Sequence, residues 1–281
     1  MIVFTQAYAD AEEAAGRPML NSRIGWHTLT RDASASDILA SSESAAGPAD
    51  SPLRSDSYSY WEPPTLPATW TLNLPGSPIP NVNYVGIGAH NLGSSGCTVT
   101  AYTNNGVSSG SPTELQWEIV AQPHTPVDDS AIILLDTTRG AAQLRIVISG
   151  GTGPRIGVIY VGEILAMQSA IRGSHVPLNL SRQTVLRTAL SRGGQFLGQT
   201  YQRRGYRTSV AFDLLDGDWY RSTFDPFVMA ARRYPYFLAW RPGDRQDEVG
   251  YVWTADDISP STMGFDDLMT VSWSVFALGD E

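Results

Sequence analysis

Between Leu66 and Gly106 the chain alternates apolar and polar residues in three short runs, separated by proline, glycine and serine. The runs are Trp70–Leu74, Val82–His90 and Cys97–Tyr102. A period of two is typical of antiparallel strands that have one face on the core and the other in water. This region therefore predicts a β-sandwich, in which the loops gather at the ends of the strands.

Similar patterns predict strands along much of the remaining chain, so the expected fold class is mostly β. The further predicted strands are 38–40, 115–120, 131–135, 144–149, 156–161, 236–240, 249–254 and 269–277. In the last of these, Val271, Trp273 and Val275 are expected to share the buried face.

One helix is predicted in the second half of the chain. Either Asp218 or the pair Asp225-Pro226 can begin it, because aspartate caps helices and proline fits the first turn. Apolar side chains recur there at helical spacing. They are Tyr220, Phe224, Phe227, Val228 and Ala231.

The distribution of charge divides the chain near residue 163. All 19 basic residues are arginines, and seven of them lie between Ile164 and Phe212, where there is no acidic residue. Residues 1–160 carry 7 arginines against 14 acids, whereas residues 161–281 carry 12 against 14. We therefore predict an N-terminal arm and connection over 1–34, whose first 20 residues have little to bury. We also predict a first β-domain over 35–165 and a second β-domain, which contains the helix, over 166–281.

The residue types argue against catalysis and against a bound metal or cofactor. Lysine is absent, Cys97 is the only cysteine, and the four histidines lack the spacing of a metal pair. Gly106–Gly110 matches the G-x-S-x-G pattern, but that motif needs a helix after the serine, and here another strand is expected. A glycosidase with two carboxylates is not excluded by spacing. We nevertheless expect a protein that is not an enzyme.

The chain also lacks the signals of a membrane or secreted protein. No run reaches the roughly 18 apolar residues that a membrane span requires. The N-terminus has neither the basic start nor the long apolar stretch of a secretory signal. We expect synthesis in a cytoplasm, without membrane insertion.

The arginine-rich stretch favours a protein interface over nucleic acid. A chain with a net charge of −9 and few aromatic residues between these arginines does not resemble a nucleic-acid-binding surface. Arginine forms bidentate ion pairs and is enriched at protein interfaces. The residues predicted to face neighbouring copies are Arg182, Arg187, Arg192, Arg203 and Arg204.

The best-marked loop of the predicted sandwich follows the strand that ends at His90. Asn91, Ser94 and Ser95 provide short polar groups there, and Trp61 is an aromatic candidate for stacking on a sugar, with Tyr60 as the neighbouring alternative. The predicted ligand site is His90, Asn91, Ser94, Ser95 and Trp61. Two alternatives stay open: His90 can instead bond across the base of the loop, and Trp61 can belong to the core.

The first part of the chain resembles a known family in five segments. They are Ile38-Leu-Ala-Ser-Ser-Glu-Ser, Pro48-Ala-Asp, Trp61, Trp70-Thr-Leu-Asn-Leu and Val85-Gly-Ile-Gly-Ala-His-Asn. Together they resemble the discoidin (coagulation factor 5/8 type C) modules, although Asn73 stands where that family usually has aspartate. The resemblance implies a jelly-roll β-sandwich over about 35–165, which binds glycans, lipids or protein surfaces through loops at one end.

Together with the first part, the second part resembles a group of proteins encoded among the tail genes of bacteriophages and prophages, in which a discoidin-like module precedes a C-terminal β-domain. The segments that carry this resemblance include Gly162-Glu-Ile-Leu-Ala-Met-Gln, Pro235-Tyr-Phe-Leu-Ala-Trp-Arg-Pro and Val249-Gly-Tyr-Val-Trp. It implies a virion structural protein near the tail tip. The implied partners are copies of itself in a ring, other tail proteins and a glycan of the host surface. The alternative is a carbohydrate-binding protein or glycan-degrading enzyme outside any virion.

Overall fold

A computed structural model describes residues 1–76, 78–105, 118–119, 123–173, 175–203, 205–264 and 266–278. Its strands are β1 (Ile2–Phe4), β2 (Arg23–Gly25), β3 (Ile38–Ala40), β4 (Ala68–Asn73), β5 (Asn81–His90), β6 (Thr98–Asn104), β7 (Glu118–Ile119), β8 (Ile132–Gly140), β9 (Gln143–Ser149), β10 (Ile156–Gly162), β11 (Leu165–Ala166), β12 (Val185–Leu190), β13 (Phe196–Arg203), β14 (Gly205–Asp216), β15 (Tyr236–Ala239), β16 (Val249–Trp253), β17 (Ser259–Thr262) and β18 (Leu268–Leu278). The mostly β prediction is confirmed.

The helical segments are few and short. They are α1 (Gln6–Ala14), α2 (Gly217–Trp219), α3 (Asp225–Ala231) and 3₁₀ turns at Leu29–Asp32, Ala35–Asp37, Ser51–Leu53 and Leu178–Leu180. A π-helical turn, Tyr220–Phe224, joins α2 to α3. In the described part of the chain, no helix has the length and apolar character needed to cross a membrane.

Two sheets form the predicted sandwich. One has the order β1-β8-β5-β10 and the other β3-β4-β9-β6-β7. Trp70 and Leu72 of β4 and Ile146 of β9 point from the second sheet into a core that Val85 and Ile87 of β5 enter from the first. Alternate residues of β9 are buried, as a strand with one core face requires.

The β1-β8-β5-β10 sheet is covered on its other face as well. A third sheet, with the order β11-β2-β15-β16-β18-β14 and β17 paired to β18, packs against it. Phe237 of β15 contacts Tyr160, with ring centroids 5.4 Å apart. A Cβ at Gly86 would lie 2.6 Å from the Phe237 ring, so only glycine fits there. The first sheet therefore has no face free for a ligand.

The predicted helix covers the opposite face of the third sheet. Asp216, and not the predicted Asp218, caps α2, since its side chain accepts a hydrogen bond from the Trp219 amide at 2.8 Å. The π turn delays α3 until Asp225, which places Pro226 in a first turn where no amide hydrogen is needed. All five residues of the predicted stripe are buried, and so are Val271, Trp273 and Val275 of β18. Both patterns are confirmed.

The expectation that the first 20 residues have little to bury is wrong. Strand β1 pairs in parallel with β8, and Ile2 and Tyr8 are buried. The buried Glu12 pairs with Arg17 at 2.9 Å and with the fully buried Arg23 at 3.4 Å. Segment 1–34 thus supplies a strand to the first sheet and, through β2, another to the third. The division into domains at about 165 stays a prediction.

Two sequence predictions fall partly or wholly outside the described residues. Only Glu118–Ile119 of the predicted strand 115–120 is described, and it pairs with β6. The Gly106–Gly110 motif lies outside altogether. The sequence patterns did not indicate β12 and β13, which form an antiparallel hairpin and have no further strand partner among the described residues.

Candidate functional site

Four loops meet at one end of the sandwich. They are 41–67, 91–97, 125–131 and 150–155. These loops meet because β3, β5 and β9 end at this end of the sandwich, and β4, β6, β8 and β10 begin there. We call this surface the loop end. Close contact between the loops depends on Gly151, which has φ +61° and whose added Cβ would collide with the Ser95 carbonyl oxygen. Only glycine adopts that conformation at so short an approach.

His90 is buried under the loops and is not available to a ligand. Its Nδ1 accepts a hydrogen bond from the Leu92 amide at 3.2 Å. Burial lowers the pKa of His90 to about 4, and the nearby N-terminal amino group acts in the same direction. The ring is therefore neutral at pH 7 and bonds across the base of the loop, which is the structural alternative given above.

Asn91 joins two of the loops. Its Nδ2 donates to the Gly153 carbonyl at 3.0 Å, and its Oδ1 accepts from the Arg155 amide at 2.6 Å. Both ends of the amide are thus bonded to the 150–155 loop. Asn91 positions that loop, since a ligand would have to displace these bonds to reach the side chain.

Ser94 and Ser95 also bond within the protein. Ser94 is exposed, and its hydroxyl donates to the Asn91 carbonyl at 3.2 Å while its amide donates to the Asp129 carboxylate at 2.9 Å. The Ser95 amide donates to the same Asn91 carbonyl at 2.9 Å. These contacts hold the loop in place, with Ser94 exposed and Ser95 half-buried.

Trp61 is fully buried, so the assignment of its ring to sugar stacking is wrong. Its indole nitrogen donates to the Ser42 carbonyl at 3.0 Å, and its backbone pairs with Ile156. The ring lies in the core between the two sheets. A ligand at the surface does not reach it.

The residue before Trp61, the alternative aromatic Tyr60, belongs to a cluster at the loop end whose other members the sequence did not indicate. The guanidinium carbon of Arg155 lies 4.6 Å from the centre of the half-buried Tyr60 ring. Arg155 Nε donates to Glu62 Oε1 at 2.9 Å, and Glu62 Oε2 accepts from the Ser44 hydroxyl at 3.2 Å. We call Tyr60, Glu62 and Arg155 the Tyr60 cluster. It combines an aromatic ring, a planar set of N–H donors and a carboxylate acceptor.

No protein-family model matches the chain, and no curated protein matches it. Among solved structures, chitosan-binding module 1 of a chitosanase/glucanase from Paenibacillus sp. IK-5 is 23% identical. The match covers 48% of this chain and 98% of that one, with a TM-score of 0.39. The module CpGH89CBM32-5 from Clostridium perfringens, in complex with GalNAc-β-1,3-galactose, is 14% identical. The match covers 48% of this chain and 99% of that module, also with a TM-score of 0.39.

A pectin-binding carbohydrate-binding module is similar in the same way. It is 13% identical, and the match covers 44% of this chain and 87% of that module, with a TM-score of 0.35. At such scores these likenesses assign neither a family nor a ligand to the chain. The candidate site rests on its own geometry.

The predicted interface arginines lie far along the chain from the loop end, in and beside the β12–β13 hairpin. Arg187 is in β12, Arg192 is in the turn of the hairpin, and both are exposed. Arg182 is exposed just before β12, where its backbone bridges to Tyr206. Arg203 ends β13, and Arg204 lies outside the described residues. Whether these residues contact a neighbouring copy stays a prediction.

Proposed function

We propose that this chain binds a surface glycan through its loop end, with the Tyr60 cluster as the contact. The observation that carries the proposal is the exposed Arg155, which stacks on the half-buried Tyr60 ring and bonds to the half-buried Glu62. Sugars present apolar C–H faces that pack on aromatic rings. Neighbouring hydroxyls need a donor and an acceptor side by side, and the Arg155–Glu62 pair offers both. His90, Asn91, Ser94 and Ser95 hold the loops that present this cluster.

The site lies on a surface formed by loops, and not in a deep cavity, so we propose that a single copy binds weakly. Deep pockets enclose most of a tight-binding ligand, whereas an open site contacts only one side of it. Several linked copies can raise the overall affinity by about 10²–10⁴ without a new contact. Display in many copies therefore suits this site.

We propose further that the chain is a structural component of a phage tail near its tip, in contact with other tail proteins. Its resemblance to proteins encoded among tail genes, in the segments that begin at Gly162, Pro235 and Val249, supports this role. In this proposal the chain is not an enzyme, carries no cofactor and binds no nucleic acid. A carbohydrate-binding protein or glycan-degrading enzyme outside any virion is the alternative.

Glycan binding is tested with the full chain displayed multivalently on an array of bacterial surface glycans. Tyr60→Ala and Arg155→Ala should each lower the signal on the bound glycans at least about tenfold, as loss of a central contact does. Tyr102→Ala is the matched control, because it removes a half-buried tyrosine of β6 from the opposite half of the sandwich. Equal binding by all four proteins would reject the Tyr60 cluster as the site.

The tail role is tested separately on particles. Antibody against the chain, viewed by electron microscopy, should mark the tail tip of intact virions. Labelling elsewhere, or a purified chain that cleaves the glycans of the array, would reject the tail proposal and favour the alternative.

A further inference from the structure

The β12–β13 hairpin exposes a set of large apolar side chains. Leu190 is 60% exposed, Phe196 64% and Leu197 66%, while Val185 and Leu186 are each 44% exposed. Leu190 is the register partner of Phe196, and Leu186 lies four residues before Leu190 on the same strand. Residues opposite each other, and residues two apart, share a face of a strand pair. Leu190 and Phe196 therefore share one apolar face beside a register shift between Ala189 and Leu190, and the exposed Leu186 adds apolar surface on the same strand.

Nothing else in the described chain pairs with this hairpin. It forms a separate two-stranded sheet, so the outer edge of each strand is unpaired. Isolated hairpins are marginally stable in water, and an exposed edge with apolar side chains is a template for association. Such an element is expected to be covered in the working form of the protein.

A groove lies at the base of the hairpin. It has a volume of about 490 Å³ and is lined by Val176, Leu180, Ser181, Arg182, Arg207, Thr208, Ser209 and Ser274. Arg207 packs over the Phe276 ring at 5.1 Å. Among the described residues, neither Arg182 nor Arg207 has an ion-pair partner. The groove and the hairpin thus form a continuous surface that is both apolar and basic.

The charge distribution indicates what covers this surface. Residues 164–212 contain seven arginines and no acid, whereas all 28 acidic residues of the chain lie outside that stretch, with 12 arginines. Another copy therefore offers the acidic surface that the hairpin and groove lack. Pairing of two hairpins with each other would instead bring Arg187 and Arg192 close to their equivalents. The contact that avoids this repulsion joins unlike surfaces, and repeated contacts of that kind close into rings or extend as filaments.

We propose that the β12–β13 hairpin and its basal groove bind an acidic surface of a second copy of this chain, head to tail. This deepens the structural role proposed above and rests on it. The hairpin provides the apolar contact through Leu186, Leu190 and Phe196. Arg182 and Arg207 provide the ionic contact.

The test is sedimentation velocity of the full chain over a range of concentrations at low and high salt. Wild-type protein should associate at low salt and dissociate as salt rises, because salt screens the arginine contacts. The double variant Leu190→Ser/Phe196→Ser and the variant Arg182→Glu should each raise the dissociation constant at least about tenfold, which is the usual effect of losing a central interface side chain.

Two matched controls separate this surface from general effects. Leu39→Ser removes a leucine that is 72% exposed on β3, and Arg233→Glu reverses an exposed arginine after α3. Both should associate like the wild type. Hydrogen exchange of residues 185–203 should slow as the wild type associates, which reports on the hairpin without any substitution.

The proposal would be overturned if the wild type stayed monomeric throughout the low-salt series. It would also be overturned if the hairpin and groove variants associated as strongly as the wild type. The dissociated variants should still bind glycans when they are attached to beads at the same density as the wild type. Loss of self-association with glycan binding retained is therefore a failure of the interface alone. Loss of glycan binding by Tyr60→Ala with no change in association concerns only the loop end.

Discussion

The loop end and the β12–β13 hairpin are both exposed, but their side chains are engaged in opposite ways. At the loop end, the Asn91 side chain and the Ser94 amide bond to neighbouring loops, the Ser94 hydroxyl bonds within its own loop, and Trp61 is anchored in the core. In the hairpin, Leu190 and Phe196 have no such contacts and are more than half exposed. The difference is that the polar groups of the loop end are fixed by bonds within the fold, whereas the apolar side chains of the hairpin are left without a covering layer among the described residues.

The sharpest test of this comparison is the neighbouring pair Trp61 and Tyr60. Trp61→Ala should lower the free energy of unfolding by about 3–5 kcal/mol, because it leaves a cavity in the core between the sheets. Tyr60→Ala should cost less, about 1 kcal/mol, since its ring is only half-buried and stacks on Arg155. Urea unfolding of the two variants measures both values. Similar losses of stability in the two variants would contradict the assignment of Trp61 to the core and of Tyr60 to the surface.

The second prediction is that acid lowers the free energy of unfolding through protonation of His90. Burial lowers the pKa of His90 to about 4, so the folded protein resists protonation that the unfolded chain accepts below about 6.5. Stability from this group is fully present above pH 6.5 and is lost as the pH falls towards 4. The loss should reach roughly 3 kcal/mol.

The control for this prediction is His90→Asn, whose side-chain oxygen can accept the Leu92 hydrogen bond but does not titrate. Urea unfolding between pH 7 and pH 4 should show a steeper loss for the wild type than for His90→Asn. Parallel pH dependence in the two proteins would show that His90 titrates as it does in the unfolded chain.

Asn91 is expected to have an intermediate effect. Asn91→Ala removes two hydrogen bonds to the 150–155 loop, one to the Gly153 carbonyl and one to the Arg155 amide. The free energy of unfolding should fall by about 1–3 kcal/mol. Thermal unfolding checks the stability, and the glycan array checks whether Arg155 is still held in place. Unchanged stability would mean that the loop is fixed by other contacts.

The smallest effect on stability is expected in the hairpin. Leu190→Ser/Phe196→Ser should change the free energy of unfolding of the dissociated chain by less than about 0.5 kcal/mol, as is usual for surface substitutions. Urea unfolding at low concentration and high salt measures this. A large loss would show that the hairpin packs against its own chain, contrary to the exposure of these residues.

Much of the fold could be predicted from the sequence, because its signals are local. Strands such as β4 and β9 alternate residue by residue, and the stripe from Tyr220 to Ala231 has helical spacing. Strand β2 carried no such signal, since its three residues are all buried and its partners β11 and β15 lie far along the chain.

The candidate site could be predicted only in part. The loop after His90 was correctly placed at an end of the sandwich, but which side chains face outward depends on contacts across the fold. Glu62 and Arg155 are 93 residues apart in the chain and meet only through the pairing of Trp61 with Ile156. The hairpin escaped prediction for a different reason. Every residue of β12 is exposed, so it lacks the alternation between buried and exposed positions that marks a strand.

The covered face of the β1-β8-β5-β10 sheet has a mechanical consequence. Tyr160 of this sheet bonds through its hydroxyl to the Pro235 carbonyl at 3.1 Å and packs on Phe237 of the third sheet. The loop end lies at the strand ends of the first of these sheets, and the hairpin directly precedes β14 of the third sheet. In the proposed glycan complex, force applied at the loop end would be carried across these packed aromatic rings, so that the two layers would bear the load together.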